Sequence, residues 1–248
     1  MGQVAGLWRH PIKSHGRESL ESVTLTAGQT MPWDRVWAVA HEHSRADESA
    51  WAPCANFSIG AKAPGLMAID AKLDPATQTV HLTHPDRPPL TVRPDEAPDA
   101  LIAWAAPLMP ADRAKPARVV RVPGRGMTDT DYSSVSIGNL ASLRAVETAM
   151  GRPLSPRRWR LNIWLDGLPP WAEFDWIGRN LRLGGVRLEV VERIRRCRAT
   201  EANPQTGQRD APTLETLQQA WDHRDFGVYA RVTEGGLVTV GDKIEVIE

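Results

Sequence analysis

The stretch "NLRLGGVRLEVVERIRRCRATEANPQTGQRD" runs from Asn180 to Asp210 and carries both the fold signal and the chemical signal of this chain. Its first half has two alternating apolar–polar runs flanking Gly184-Gly185, the mark of a two-residue β-hairpin. If the second strand continues past Ile194, Arg193, Arg195 and Cys197 lie on one face. Cations beside a thiol stabilise its thiolate, the form that attacks electrophiles or binds soft metals. The plainer alternative is a buried, inert cysteine beside solvated arginines.

Working outward, short alternating runs recur along the chain. "SVTLT" (22–26) and "VWAVAHE" (36–42) read as strands, and "LMAIDAKLD" (66–74) with "TVHLTH" (79–84) as a hairpin around "PATQ". The proline-rich segment 85–98 reads mostly as loop. "PDALIAWAAPLM" (98–109) predicts a short helix, weakened by Pro107. "SIGNLASLRAVETAMG" (136–151) predicts the clearest helix, with Ser136 as N-cap and Gly151 as its end. "TLETLQQAWD" (213–222) predicts another, capped by Thr213, and "GLVTVGDKIEVI" (236–247) a closing hairpin around Gly241-Asp242. The expected class is therefore α+β, strand-rich and β-barrel-like.

"RRWRLNIWL" (157–165) reads as a strictly alternating strand. Trp159, Leu161, Ile163 and Leu165 would face the core, leaving Arg158, Arg160, Asn162 and Trp164 on the other side. Two guanidiniums and an amide on one face suit a phosphate or carboxylate, because arginine grips such anions with two parallel N–H groups. An ordinary solvated face is the alternative. "HPIKS" (10–14) offers an ammonium, a hydroxyl and backbone N–H groups after a strand, a combination that can hold phosphate. The aromatic and acidic "DGLPPWAEFDW" (166–176) could line a pocket, with Glu173 at its rim.

Composition removes several classes. Lysine plus arginine equals aspartate plus glutamate, 30 against 30, so nothing global points to nucleic acid. No run reaches the roughly 18–20 apolar residues of a membrane span. The N-terminus meets charge and proline too early for a signal peptide, and Gly2 is not followed by a myristoylation pattern. A cytoplasmic protein is expected. Two cysteines, Cys54 and Cys197, are too few for a cluster or zinc site held by four thiolates. A reducing compartment argues against their pairing. His41 and His43 share a strand face without a third ligand, "GRGM" (124–127) lacks the setting of a dinucleotide loop, and no Gly-x-Ser-x-Gly elbow is present.

Together, "HPIKS", "SLESVTLTAGQTMPWDRVWAV", "DTDYSSVSIGNLASLRAVE", "RRWRLNIWLDG", "RCRATEANPQTGQRD" and "GVYARVTEGGLVTVGDKIEV" resemble the MOSC family in order and spacing. This domain is shared with molybdenum cofactor sulfurases and amidoxime-reducing components. The resemblance implies an N-terminal β-barrel module over residues 1–110 and a MOSC domain over 111–248. It implies a molybdenum cofactor of the molybdopterin type, with Cys197 as thiolate ligand in the amidoxime reducers or as persulfide carrier in sulfurase domains. Lys13, Ser14 and Arg35 match residues that hold the pterin, mainly through its phosphate. Arg158, Arg160 and Asn162 match the strand on its other side. Ser142, Thr200 and Asp210 fall near the same pocket by motif position, and "NPQTGQRD" would close over the ligand.

The implied reaction is reduction of N-hydroxylated or other N-oxygenated small molecules. Electrons would come from a separate ferredoxin- or cytochrome-type protein. The alternative is a sulfur carrier or cofactor-delivery protein in molybdenum cofactor or metal-sulfur metabolism, whose partner is a cysteine desulfurase, since this stretch contains no pyridoxal phosphate-binding desulfurase segment. This chain departs from the family pattern at His10, where an aromatic residue is usual, at "ATEA" (199–202), where Thr-Thr-Val-Asp is common, and at "NFSIGAK" (56–62).

Overall fold

The computed structural model describes residues 2–247. In chain order the strands before the first helix are β1 (Gln3–Arg9), β2 (Glu18–Leu20), β3 (Ser22–Leu25), β4 (Ala38–His41), β5 (Asp70–Asp74), β6 (Thr79–His84) and β7 (Arg87–Val92). Helix α1 (Pro98–Ala105), β8 (Pro116–Val120), β9 (Val135–Asn139), α2 (Leu140–Met150) and β10 (Ile163–Asp166) follow. The chain ends through β11 (Asn180–Leu183), β12 (Val186–Arg195), α3 (Thr213–Trp221), β13 (Asp225–Glu234), β14 (Gly236–Thr239) and β15 (Ile244–Ile247).

Eight strands form one curled sheet in the order β15-β11-β12-β13-β9-β10-β1-β2. Its neighbours are antiparallel except β9 and β10, which α2 joins as a parallel crossover. The protein is a strand-rich α+β fold with a barrel-like sheet, as the alternation predicts. β1, from the start of the chain, pairs with β10, so the sheet draws on both ends of the sequence. Inward residues such as Leu7, Ile137, Ile163, Leu188, Val190 and Val228 fill its main core. A second core, built on Ile12, Trp37, Leu66, Leu82 and Trp104, lies under the β5-β6-β7 meander and α1.

The hairpin at Gly184-Gly185 forms as expected, between β11 and β12. Other local readings yield to tertiary partners. The segment 85–98 is not all loop: Arg87–Val92 pairs with β6, and its two prolines are tolerated because β7 is an edge strand. Residues 135–139 continue as strand, so α2 starts at Leu140. Its N-cap is Asn139, whose side chain accepts from Ala141 N–H, rather than Ser136. Gly151 ends α2 in the left-handed region, at φ 68°. Thr213 lies inside α3, behind Pro212, and its hydroxyl bonds Thr200 at 2.6 Å instead of capping. The closing segment is no hairpin: β14 pairs with β3, while β15 pairs with β11.

The largest departure is at 157–165. Pro156–Trp159 is a turn of 3-10 helix and Arg160 takes a left-handed conformation at φ 49°, so the strand begins only at Ile163. Ser155 accepts from Arg157 N–H at the start of the turn, and Pro156 suits its first position. The apolar residues Trp159, Leu161, Ile163 and Leu165 are buried as expected, but so are Arg158, Asn162 and Trp164. Arg158, Arg160 and Asn162 therefore share no strand face.

Candidate active site

A cleft of about 610 Å³ opens at the end of β12. Lys13 and Ser14 reach it from the loop after β1, and Arg35 from the turn before β4. The segment 51–61 contributes Trp51 and Cys54, the loop before β9 contributes Asp129 to Tyr132, and Arg158 to Leu161 form a further wall. Glu192 to Cys197, Thr200 and Tyr229 complete it. Of the residues singled out from sequence, the fold thus brings Lys13, Ser14, Arg35, Arg158, Arg160, Thr200 and Cys197 to one cleft.

Three others stand elsewhere. Asn162 lies behind the wall: its Oδ1 accepts from the Ser136 hydroxyl at 2.8 Å and its Nδ2 donates to Trp8 O at 3.2 Å. Asp210 backs the wall, accepting from Arg158 Nη2 at 2.6 Å and Asn203 Nδ2 at 2.9 Å. Ser142 is remote; its hydroxyl donates to Glu173 at 2.8 Å and accepts from Trp171 N–H at 2.8 Å. Glu173 is wholly buried there, not at a pocket rim. Each position follows from side-chain partners outside its own motif, which spacing alone cannot reveal.

The loop "NPQTGQRD" does not cover the cleft, because none of residues 203–210 borders it. It is pinned to the N-terminal half instead. Arg17 donates to Pro204 O at 2.7 Å and Arg209 to Ala61 O at 2.7 Å. A Cβ on Gly207 would lie 2.7 Å from Gly65 Cα, so only glycine permits that approach.

Cys197 stands beyond the end of β12, at the cap of a 3-10 turn over Arg198–Glu201, so the shared strand face with Arg193 and Arg195 does not form. All three still border the cleft, where Cys197 is exposed. Arg193 packs over the Phe174 ring at 4.3 Å. The cations do not lower the Cys197 thiol. Crowding by the cleft walls and the nearby Asp129 carboxylate raise it against the pull of Arg196. At neutral pH it is a thiol.

The electrostatics are those of an anion site. Seven cationic side chains line the cleft against three carboxylates, Asp129, Asp131 and Glu192. At this wall Arg158 Nε, Arg160 Nη1 and Arg196 Nη2 have no hydrogen-bond partner among the described residues. Burial, then Arg35 and Arg17, push Arg160 down to about 9, which leaves it charged at neutral pH. Arg196 is gripped from behind, donating to Phe226 O at 2.8 Å and Trp159 O at 2.9 Å. Such under-neutralised cations fit a phosphate-bearing, anionic group.

Sequence reasoning missed Asp129, Cys54 and Arg196. Cys54 donates to Asp129 at 3.0 Å, and burial together with Asp129 pushes its thiol up to about 11. Only the adjacency of Arg196 to Cys197 was visible beforehand. Among the described residues no group of three or more His, Cys, Asp or Glu side chains is placed to hold a metal, and no helix is long and apolar enough to cross a membrane.

Cationic side chains and two thiols, Cys54 and Cys197, line this cleft beside a curled sheet, an arrangement suited to an anionic group. Residues 1–106 match the MOSC N-terminal beta barrel domain and residues 125–245 the MOSC domain, and the chain belongs to the MOSC family. It is similar to mitochondrial amidoxime-reducing component 1 of Mus musculus, at 24% identity over 98% of this chain and 82% of that protein. The Xenopus laevis protein of the same name is 31% identical over 46% of this chain, a match spanning only 36% of its own length. Molybdenum cofactor sulfurase of Caenorhabditis elegans is 35% identical over 31% of this chain and 11% of its own. Among solved structures, the YUAD protein from Bacillus subtilis shares the fold, with a TM-score of 0.51 at 16% identity, over 99% of this chain and 96% of that one.

Proposed function

We propose that the cleft holds a molybdenum cofactor of the molybdopterin type, with Cys197 as protein ligand to the metal. On this reading the protein is an oxidoreductase that removes oxygen from N-hydroxylated or other N-oxygenated compounds, fed by a separate electron-transfer protein. Residues 1–110 and 111–248 act as two modules that both supply the cleft. The observation that carries the reading is the convergence of Ser14, Arg35, Arg158 and Arg160, from distant segments, on the cleft that Cys197 borders. The amidoxime-reducing relatives support the choice of reaction.

The bound cofactor supplies two-electron oxygen-atom chemistry; the protein binds it, orients it and tunes its surroundings. Arg35, Arg158 and Arg160 would hold its anionic groups, with Ser14 and Thr200 offering hydroxyls. Lys13 acts indirectly. Its ammonium already meets Met127 O at 2.8 Å, Thr128 O at 3.4 Å and Asp129 Oδ1 at 2.5 Å, so it anchors the 127–129 loop and adds charge from behind. A soft cation at Cys197 would displace the thiol proton, so metal uptake strengthens as pH rises.

The sulfur-carrier reading draws on the sulfurase relative. The raised Cys197 thiol weighs against it, because a persulfide carrier needs a ready thiolate. The test is metal and pterin analysis of protein made in cells competent for the cofactor, beside Cys197→Ser. Molybdenum and pterin in the wild type, with metal lost from the variant, is the expected result. Wild-type protein free of molybdenum overturns it. A single-sulfur adduct on Cys197 after incubation with a cysteine desulfurase would move the assignment to the carrier.

A further inference from the structure

Behind the cleft wall lies a group of buried polar side chains that the proposed chemistry leaves unused. His10 and Asp34 are each about 1% exposed. Asp34 Oδ1 accepts the His10 backbone N–H at 2.8 Å and lies 3.1 Å from His10 Nδ1. The other carboxylate oxygen, Oδ2, accepts from Arg35 Nη1. Arg35 Nη2 then donates to Arg160 O at 3.1 Å.

We propose that His10 and Asp34 are positioning residues for Arg35, fixing from behind the direction in which its guanidinium meets an anion in the cleft. The inference rests on the reading that this cleft binds an anionic group, and it deepens that reading.

The backbone leaves Arg35 little choice. Its φ is 55°, its N–H donates to His10 O at 2.6 Å, and its carbonyl accepts from Met127 N–H at 2.7 Å. The side chain is about 10% exposed, so two of its nitrogens are committed and the rest of the planar fork borders the cleft. A guanidinium held this way loses little rotational freedom when it meets a ligand, which is where preorganisation raises affinity.

The protonation states agree with this arrangement. Burial, then Arg160 and Arg35, push His10 down to about 3, so its ring is neutral at physiological pH. Burial would raise the Asp34 carboxyl, but Arg35 and His10 hold it well below the usual carboxylate range. With the ring neutral and Asp34 ionised, Nδ1 carries the hydrogen and donates to Oδ1. Asp34 is therefore an ionised acceptor shared by His10 and Arg35.

The test titrates inorganic phosphate into the full, metal-free chain by calorimetry, with Tm measured alongside. His10→Phe and Asp34→Asn are expected to weaken phosphate binding about tenfold, the scale of one charge-assisted hydrogen bond. His10→Asn places an amide N–H near the position of Nδ1 and is expected to restore most of the affinity. In an Arg35→Ala background, His10→Phe should change affinity no further while still lowering Tm. An equal loss of affinity with and without Arg35, or a fall in Tm with affinity intact, assigns His10 a structural role alone and overturns the proposal. If His10→Phe does not fold, Asp34→Asn carries the same comparison. Wild-type protein that binds no phosphate overturns the anion reading itself, whereas wild-type binding with unaffected variants overturns only the role of His10 and Asp34.

Discussion

Lys13 Nζ lies 2.5 Å from Asp129 Oδ1, and this contact places a carboxylate inside the most cationic part of the cleft. Asp129 also accepts from Cys54 Sγ–H at 3.0 Å. It is the site's internal anion, balancing Lys13 and keeping a second thiol protonated.

Removing that charge changes two properties together. Asp129→Asn is expected to strengthen phosphate binding roughly three- to tenfold, because a like charge beside the ligand is lost. It should also lower the Cys54 thiol from about 11, so that Cys54 is alkylated faster at pH 8. Peptide mass mapping after iodoacetamide treatment follows the second effect. Unchanged labelling and unchanged phosphate affinity would remove Asp129 from this role.

Cys197 is exposed and makes no core contact, so Cys197→Ser should shift stability by no more than about 0.5 kcal/mol. If the cleft holds molybdenum as proposed, the metal should nonetheless be lost. In the metal-free wild type, alkylation of Cys197 should be slower than that of a free thiol at neutral pH. It should accelerate with rising pH, because the thiolate appears only above the ordinary cysteine value.

Ser142 separates the geometry from the motif. Ser142→Ala leaves the buried Glu173 carboxyl without its hydroxyl donor and is expected to cost about 1–3 kcal/mol in denaturant unfolding. Molybdenum content should stay at the wild-type level, since Ser142 does not border the cleft. Metal loss in a variant that remains folded would bring Ser142 back into the site.

Stability should fall on mild acidification. Burial first, then nearby arginines, push His10 down to about 3; burial likewise pushes His15 down to about 4. In the unfolded chain both take up protons near pH 6.5. Between about pH 6.5 and 4 the unfolded chain therefore binds more protons, so stability rises with pH and is lost as pH falls through that interval. Asp34 adds a further loss in stronger acid, below its unfolded value near 4. Urea midpoints at pH 7.5 and 4.5 measure the effect, and His10→Asn should flatten the slope.

Gly126 belongs to "GRGM", a stretch with no dinucleotide loop around it. A Cβ there would lie 2.1 Å from the Asp34 carbonyl oxygen, a backbone atom that cannot swing aside. Gly126→Ala should therefore cost about 1–3 kcal/mol and weaken phosphate binding, by displacing the turn that presents Arg35. Wild-type affinity in a destabilised but folded variant would show that the turn tolerates the shift.

Several elements could be read directly from residue order. The Gly184-Gly185 hairpin, the buried residues Ile163 and Leu165 of β10 and the body of α2 are local matters of turn chemistry and apolar period, and these the structure keeps. The family resemblance likewise pointed to Lys13, Ser14, Arg35, Arg158, Arg160, Thr200 and Cys197, which do meet at one cleft. Tertiary structure decided the rest. At 157–165 an alternating pattern that satisfies a strand is overruled by Pro156, the Ser155 cap and the bond from Arg158 to Asp210, 52 residues away. The strand face ending at Cys197 is lost because the chain turns after Arg195, and the thiol rises because crowding by the cleft walls and Asp129 outweigh the neighbouring Arg196. Periodicity reports which side chains avoid water. It cannot report which distant carboxylate a buried guanidinium will find, and in this protein those long-range pairs set the shape and charge of the site.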